Sequence, residues 1–161
     1  MSERTNVHAT GLVLGRVGLM LRGPSGSGKS LLALMLIEAW RSRGEEGKLV
    51  SDDRIDLETT RSGLVMHAPA TIAGLIELRG RGIVRRPHVA KAPVHLVVDF
   101  VEKFERMIEE EALVTDVLGV ALPRCPVPRA GVVELAHQLL LVTEAVDSVH
   151  STPRRTRQKT T

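Results

Sequence analysis

The chain has 161 residues, 43% apolar and 25% charged, enough for one domain with a continuous core and for no second folded unit. A lone cysteine, Cys125, excludes a disulfide framework and a multi-cysteine zinc site, and three aromatics (Trp40, Phe100, Phe104) exclude a stacking platform for single-stranded nucleic acid. The net charge of +3 sits in the last residues: subtracting Arg154, Arg155, Arg157 and Lys159 from 22 basic residues leaves 18 against 19 acids.

Residues 1–150 therefore read as a near-neutral folded domain and 151–161 as a basic, disordered tail. No apolar run approaches the roughly 20 residues of a membrane-spanning helix, and the opening MSERTNVHAT lacks the regions of a secretory leader. Cytoplasmic residence is expected, with neither nucleic acid nor membrane as partner.

Along the chain, Gly11 to Arg22 predicts a hairpin around Gly15-Arg16 whose second strand feeds a glycine-rich segment. From Lys29 the spacing of Leu31, Leu32, Met35, Leu36 and Trp40 predicts a helix that stops at Gly44. Strands are expected at Lys48 to Ser51, Gly63 to Ala68 and Ala92 to Phe100, the last central and covered on both faces, with another at Asp116 to Leu122. Pro123, Pro126 and Pro128 then break the chain before a closing amphipathic helix over Val132 to Val146. The alternation predicts an α/β domain with a mixed sheet and flanking helices.

Gly23-Pro24-Ser25-Gly26-Ser27-Gly28-Lys29-Ser30 satisfies the phosphate-loop pattern between an apolar strand and a helix. Glycines let backbone amides curl around phosphate oxygens, the helix N-terminus adds its positive dipole end, Lys29 reaches the β- and γ-phosphates, and the Ser30 hydroxyl can ligate Mg²⁺.

Two acidic positions compete for the metal and the chemistry. Asp99 ends the apolar run Val94 to Val98 and on hydrophobicity alone is the better strand-end acid. Asp52-Asp53 follows a strand too, and two adjacent carboxylates repel unless a cation or a shared proton compensates. Ile76 to Ile83 reads IELRGRGI, in which glycines bracket an arginine after Glu77; by itself this is a tight bend near an anion or an exposed strand end. His8, before the first strong strand, reads by itself more readily as a surface or capping residue than as a catalytic one.

Taken in order, His8, GPSGSGKS, LVSDDR at Leu49 to Arg54 and IELRGRGI resemble the catalytic domain of bacterial HPr kinase/phosphorylase, from about Val7 to Val146. The resemblance implies an ATP-dependent kinase for a serine of the phosphocarrier protein HPr, with inorganic phosphate removing the group again as pyrophosphate. It implies phosphate binding by Gly23 to Ser30 including Lys29, Mg²⁺ at Ser30 and Glu77, and Asp53 as proton acceptor forward and donor in reverse. His8 becomes a catalytic histidine beside Asp53, Asp52 a tuner of its proton affinity, and Arg106, in Phe104 to Met107, a charge-stabilising arginine. Asp99 is demoted to a strand-end residue.

The chain departs from the family pattern in three places. Seven residues precede His8, so an N-terminal regulatory domain is expected to be missing, and IVRRPHVAKAP after Gly82 is short. PVPRAG at Pro126 to Gly131 resembles the phosphorolysis segment, but Val132-Val133 replaces a Gly-Arg-Asn ending, which weakens the expectation of the reverse reaction. The family further implies a homo-hexamer. A phosphate-loop kinase of small metabolites and a non-catalytic nucleotide sensor are the competing readings.

Overall fold

The computed structural model describes residues 3–151; of the tail expected over 151–161, Ser151 ends the last helix and 152–161 lie outside the described residues. In chain order the elements are β1 (Arg4–Val7), β2 (Ala9–Leu14), β3 (Val17–Arg22), α1 (Lys29–Ser42), β4 (Gly47–Ser51), β5 (Ile55–Thr60) and β6 (Gly63–His67). They continue with β7 (Leu75–Leu78), β8 (Gly82–Arg85), β9 (Lys91–Pro93), β10 (Leu96–Val101), β11 (Val114–Val117), β12 (Val120–Pro128) and α2 (Leu135–Ser151).

A six-stranded mixed sheet, ordered β11-β12-β10-β3-β2-β4, forms the middle layer. Its centre is parallel, β3 and β12 flanking β10, while β2 pairs antiparallel with both β3 and β4. Side chains alternate across a strand, so β3 feeds two cores at once. Leu19 and Leu21 pack with Leu32, Leu36, Ile37 and Trp40 of α1 and Val142 and Val146 of α2, whereas Met20 turns to the opposite face. There it meets Ile55, Leu57, Leu64 and Met66 of a second sheet, β1-β5-β6-β9. Burial of each such leucine contributes roughly 2 kcal/mol. The result is three layers: helices, mixed sheet, antiparallel sheet.

α1 begins and ends as its sequence predicts. Glu45 N–H reaches Trp40 O and Gly44 N–H reaches Arg41 O, with Gly44 at φ +76, a left-handed glycine cap. Only one of the two leucine stripes is core: Leu32 and Leu36 are fully buried, while Leu31 and Met35 remain 46% and 37% exposed.

Three expectations change. The apolar run from Ala92 divides into β9 and β10, because β9 joins the second sheet and β10 the first. At the crossing, a Cβ on Gly18 would overlap Pro93 O, so glycine alone admits the approach, and Gly18 N–H donates to His95 Nδ1 at 2.9 Å. Secondly, Pro123, Pro126 and Pro128 do not break the chain but lie inside β12. Arg129 N–H donates to Val101 O, so by alternation Pro126 and Pro128 turn their missing N–H groups away from β10, beyond the end of the short β11. The strand expected over Asp116 to Leu122 changes with it: β11 and β12 are the two arms of a hairpin that turns at Leu118-Gly119, both left-handed, as a tight two-residue turn demands. Thirdly, the closing helix runs over Leu135–Ser151, after a turn through Ala130-Gly131.

Candidate active site

The loop from Gly23 to Gly28 joins β3, at the centre of the sheet, to α1. Gly26 at φ +82 and Gly28 at φ +100 adopt backbone conformations open to glycine but strained for other residues. Lys29 is buried and its Nζ donates to Gly23 O at 2.7 Å and Pro24 O at 3.2 Å, folding the ammonium over the loop. The far wall comes from the turn after β12: Ala130 N–H donates to Ser27 O, and a Cβ on Gly28 would stand 3.1 Å from Ala130 Cβ. A cavity of about 300 Å³ opens beside the loop, with Lys29, Ser30, Asp53, Glu77, Arg79 and Ala130 in its lining.

Asp52 and Asp53 follow β4 at the end of the ladder with β2. That ladder slips: Leu12 pairs with Leu49 but Gly11 with Ser51, leaving Val50 as the extra residue of a bulge beside the acid pair. Asp52 Oδ1 accepts from Ser30 Oγ at 2.8 Å and from Thr10 Oγ1 at 3.1 Å, and its Oδ2 accepts from Glu77 N–H at 3.4 Å. Burial pushes the Asp52 carboxyl above its usual range; the Ser30 hydroxyl works against this and the charge of Asp53 adds to it. Asp53 is left-handed at φ +62, with its carboxylate 3.9 Å from Lys29 Nζ and 3.7 Å from His8 Nε2. His8 occupies the joint between β1 and β2, more than half exposed.

The structure thus gathers Lys29, Ser30, Asp53 and Glu77 on one cavity and puts His8 against Asp53. Arg106 it does not bring in: that residue is exposed in the stretch after β10 and is not part of the cavity lining. Asp99 belongs elsewhere. It shares a face of β10 with Val97, away from α1, and is clamped by Arg22 Nε at 2.8 Å and Arg124 Nε at 2.6 Å. Burial alone would raise its carboxyl, but the hydrogen bonds and charges of Arg22 and Arg124 outweigh it and hold it below the usual range.

Sequence reasoning missed Thr10, and it reached Ala130 only as part of the PVPRAG segment. Thr10 is fully buried on β2, and its hydroxyl also accepts from Asp53 N–H at 3.2 Å. A hydroxyl in the otherwise apolar ATGLVL, two residues after His8, is the signal that could have found it, since a buried polar group needs partners.

The donor set fits a nucleotide triphosphate with a divalent cation. The glycine cradle and Lys29 suit phosphate, and the Ser30 hydroxyl with the Glu77 carboxylate offers hard oxygen ligands. No cluster of three His, Cys, Asp or Glu residues able to hold a metal by itself occurs among the described residues. No helix among the described residues is long and apolar enough to cross a membrane.

The family model for the HPr Serine kinase C-terminal domain matches residues 1–151. The HPr kinase/phosphorylase of Bordetella pertussis is 36% identical over 135 residues, which cover 76% of this chain and 42% of that protein. Its counterpart in Polaromonas naphthalenivorans is 34% identical over 157 residues, 89% of this chain and 46% of the relative. The chain spans less than half the length of these curated relatives. Among solved structures, the Hpr(Ser) kinase/phosphatase from Coxiella burnetii superposes with a TM-score of 0.72 at 27% identity, covering 91% of this chain and 96% of that one. On this match, and with the phosphate loop, Asp53 and Glu77 converging on one cavity, the chain belongs to the HPr serine kinase C-terminal domain family.

Proposed function

We propose that the chain is the catalytic part of a cytoplasmic, ATP- and Mg²⁺-dependent kinase that phosphorylates a serine of HPr, with phosphate-dependent removal as its reverse activity. The observation that carries this reading is Asp53, whose carboxylate stands within 4 Å of both Lys29 Nζ and His8 Nε2 at the edge of the phosphate cavity. A phosphate-binding cation and a half-exposed base side by side are what transfer to an incoming hydroxyl requires.

In the forward direction Lys29 leaves the Gly23 and Pro24 carbonyls to bind the β- and γ-phosphates. Asp53 accepts the serine proton as the serine oxygen bonds to the γ-phosphorus and the bond to the β-phosphate oxygen breaks, releasing ADP. His8 holds the Asp53 carboxylate toward the mouth of the cavity. A divalent ion on Ser30 and Glu77 would neutralise phosphate charge. In reverse, protonated Asp53 returns its proton to the serine oxygen while inorganic phosphate takes the phosphoryl group, giving pyrophosphate. Asp52, acting on Ser30, orients a ligand as well as tuning its neighbour. Arg106, which is exposed, can stabilise charge only if its segment approaches the cavity in the complex with HPr.

Homo-oligomeric assembly, a hexamer by family likeness, belongs to the same reading. Exposed Phe104 rests on His137 of α2, one turn from exposed Leu140, and offers apolar surface for it. Solution mass measurement tests that part. The function itself is tested by incubating the protein with γ-labelled ATP, Mg²⁺ and HPr. Label on an HPr serine, reversed by phosphate with release of pyrophosphate, is the expected result. Label on a small metabolite would make it a metabolite kinase, and label that never leaves ATP would make it a nucleotide sensor.

A further inference from the structure

Among the described residues, Thr10 is the side chain hydrogen-bonded to both members of the acid pair, and nothing in the phosphate-loop chemistry above employs it. Its hydroxyl donates to Asp52 Oδ1 at 3.1 Å and accepts from Asp53 N–H at 3.2 Å. The residue is wholly buried, and β2 fixes its backbone in ladder with Leu21 of β3, the strand that leads into the phosphate loop. A hydroxyl is the smallest group that donates and accepts at once, and the β-branched carbon limits its rotamers. Valine has the same shape and can do neither.

The need for such a group is visible in the backbone. Asp53 is one of two non-glycine residues among those described with a positive φ, at +62. Left-handed backbone persists at a non-glycine residue only where its surroundings hold it. The bond to Thr10 is the contact that ties the Asp53 amide to the rigid sheet. In this conformation Asp53 aims its carboxylate at Lys29 and His8, and a rotation of its backbone would swing the carboxylate away from them.

We infer that Thr10 is a positioning residue of the transfer reaction: its hydroxyl locks the left-handed Asp53 backbone and steadies Asp52 as the acceptor of the Ser30 hydroxyl, without touching substrate itself. This rests on the reading of Asp53 as the proton-accepting group in transfer to HPr, but the backbone part of it stands independently of any activity.

The test compares Thr10→Val, Thr10→Ala and Thr10→Ser with the wild-type chain. Measured are kcat for HPr phosphorylation, the affinity for ATP, and amide hydrogen exchange resolved at Asp53. Thr10→Val should lower kcat by about 10- to 100-fold, the cost of a slightly misplaced reacting group, with ATP affinity held within about twofold. Its Asp53 amide should exchange faster while core amides of β3 and β10 stay protected. Thr10→Ser keeps both bonds and should stay within about threefold of wild type, losing only the stiffness of the branched carbon. Thr10→Ala, which adds no methyl against the carboxylates, repeats the comparison with Thr10→Ser should the valine variant not fold. Wild-type kcat or unchanged Asp53 exchange in the valine or alanine variant would overturn the proposal, as would a serine variant as slow as alanine. A wild-type chain that never labels HPr would sink the functional reading instead, and Asp53 exchange would then decide for or against Thr10.

Discussion

The Ser30 hydroxyl donates to Asp52 Oδ1 at 2.8 Å, tying the first turn of α1 to the end of β4. Three donors converge on this carboxylate, yet burial and the charge of Asp53 leave its pKa raised above 3.8. A carboxyl raised in the folded state lowers stability at neutral pH, and the loss is relieved as pH falls through the folded value toward 3.8. Asp52→Asn removes that charge and keeps an oxygen for Ser30. It should stabilise the domain by ~0.5–2 kcal/mol, read by urea unfolding at pH 7, as expected when a strained site is relaxed. HPr phosphorylation should fall by about 10- to 100-fold, the usual loss when the partner behind a metal ligand is altered, because a neutral amide polarises the Ser30 hydroxyl, the proposed ligand, less than a carboxylate does.

Asp53→Asn leaves the phosphate loop intact and takes away the proposed proton acceptor. Nucleotide binding should stay within about twofold of wild type while kcat for transfer to HPr drops by about 10²- to 10⁴-fold, the typical span for a general base. Equilibrium ATP binding and single-turnover transfer, measured on one preparation, check both halves. Wild-type transfer in this variant would remove Asp53 from the mechanism.

Gly28→Ala meets two obstacles. The left-handed backbone at φ +100 disfavours any Cβ, by about 1–2 kcal/mol, and the new carbon would stand 3.1 Å from Ala130 Cβ. ATP affinity should fall at least tenfold in an equilibrium binding assay, taking about 1.4 kcal/mol per decade. Adding Ala130→Gly clears the contact but not the backbone strain, so the double variant should recover only part of the loss.

Asp99→Ala leaves Arg22 and Arg124 facing each other without their shared anion. The cost should be about 2 kcal/mol, below the figure for a fully buried pair because the arginines stay 34% and 22% exposed. Asp99 is held below 3.8 when folded, so its contribution is present above that value and lost as pH falls through the folded value. Urea midpoints of wild type and variant should therefore differ at pH 7 and converge toward pH 2. Since Asp99 faces away from α1, ATP affinity should not change.

The Cys125 thiol is buried, pushed up to about 12 by burial, and it donates to Leu141 O at 3.6 Å. A disulfide-exchange reagent at pH 8 should find no reactive thiol in the folded chain and one equivalent after urea denaturation. Rapid reaction without denaturant would mean that α2 opens readily from β12.

What could be read from the residues alone was local. The β2–β3 hairpin, the phosphate loop and the glycine-capped α1 each depend on neighbours a few residues apart, so their spacing carried them. The order of His8, GPSGSGKS, LVSDDR and IELRGRGI carried the family and the residues to examine. Four features needed the third dimension. Hydrophobicity put Asp99 at the better strand end, but which face of β10 it occupies depends on the register against β3 and β12, and that face carries two arginines. Prolines in β12 look like chain breakers until the neighbouring strand is seen to end where their N–H groups are missing. Arg106 follows a familiar pattern, yet the exposed stretch after β10 leaves it outside the cavity. Thr10 lies more than 40 residues from the acids it holds, and only the pairing of β2 with β4 brings them together. The sequence by itself determined the phosphate-loop pattern, because one continuous segment carries it; the tertiary fold decided which acids stand beside it, because strand pairing sets the distance between groups far apart in the chain.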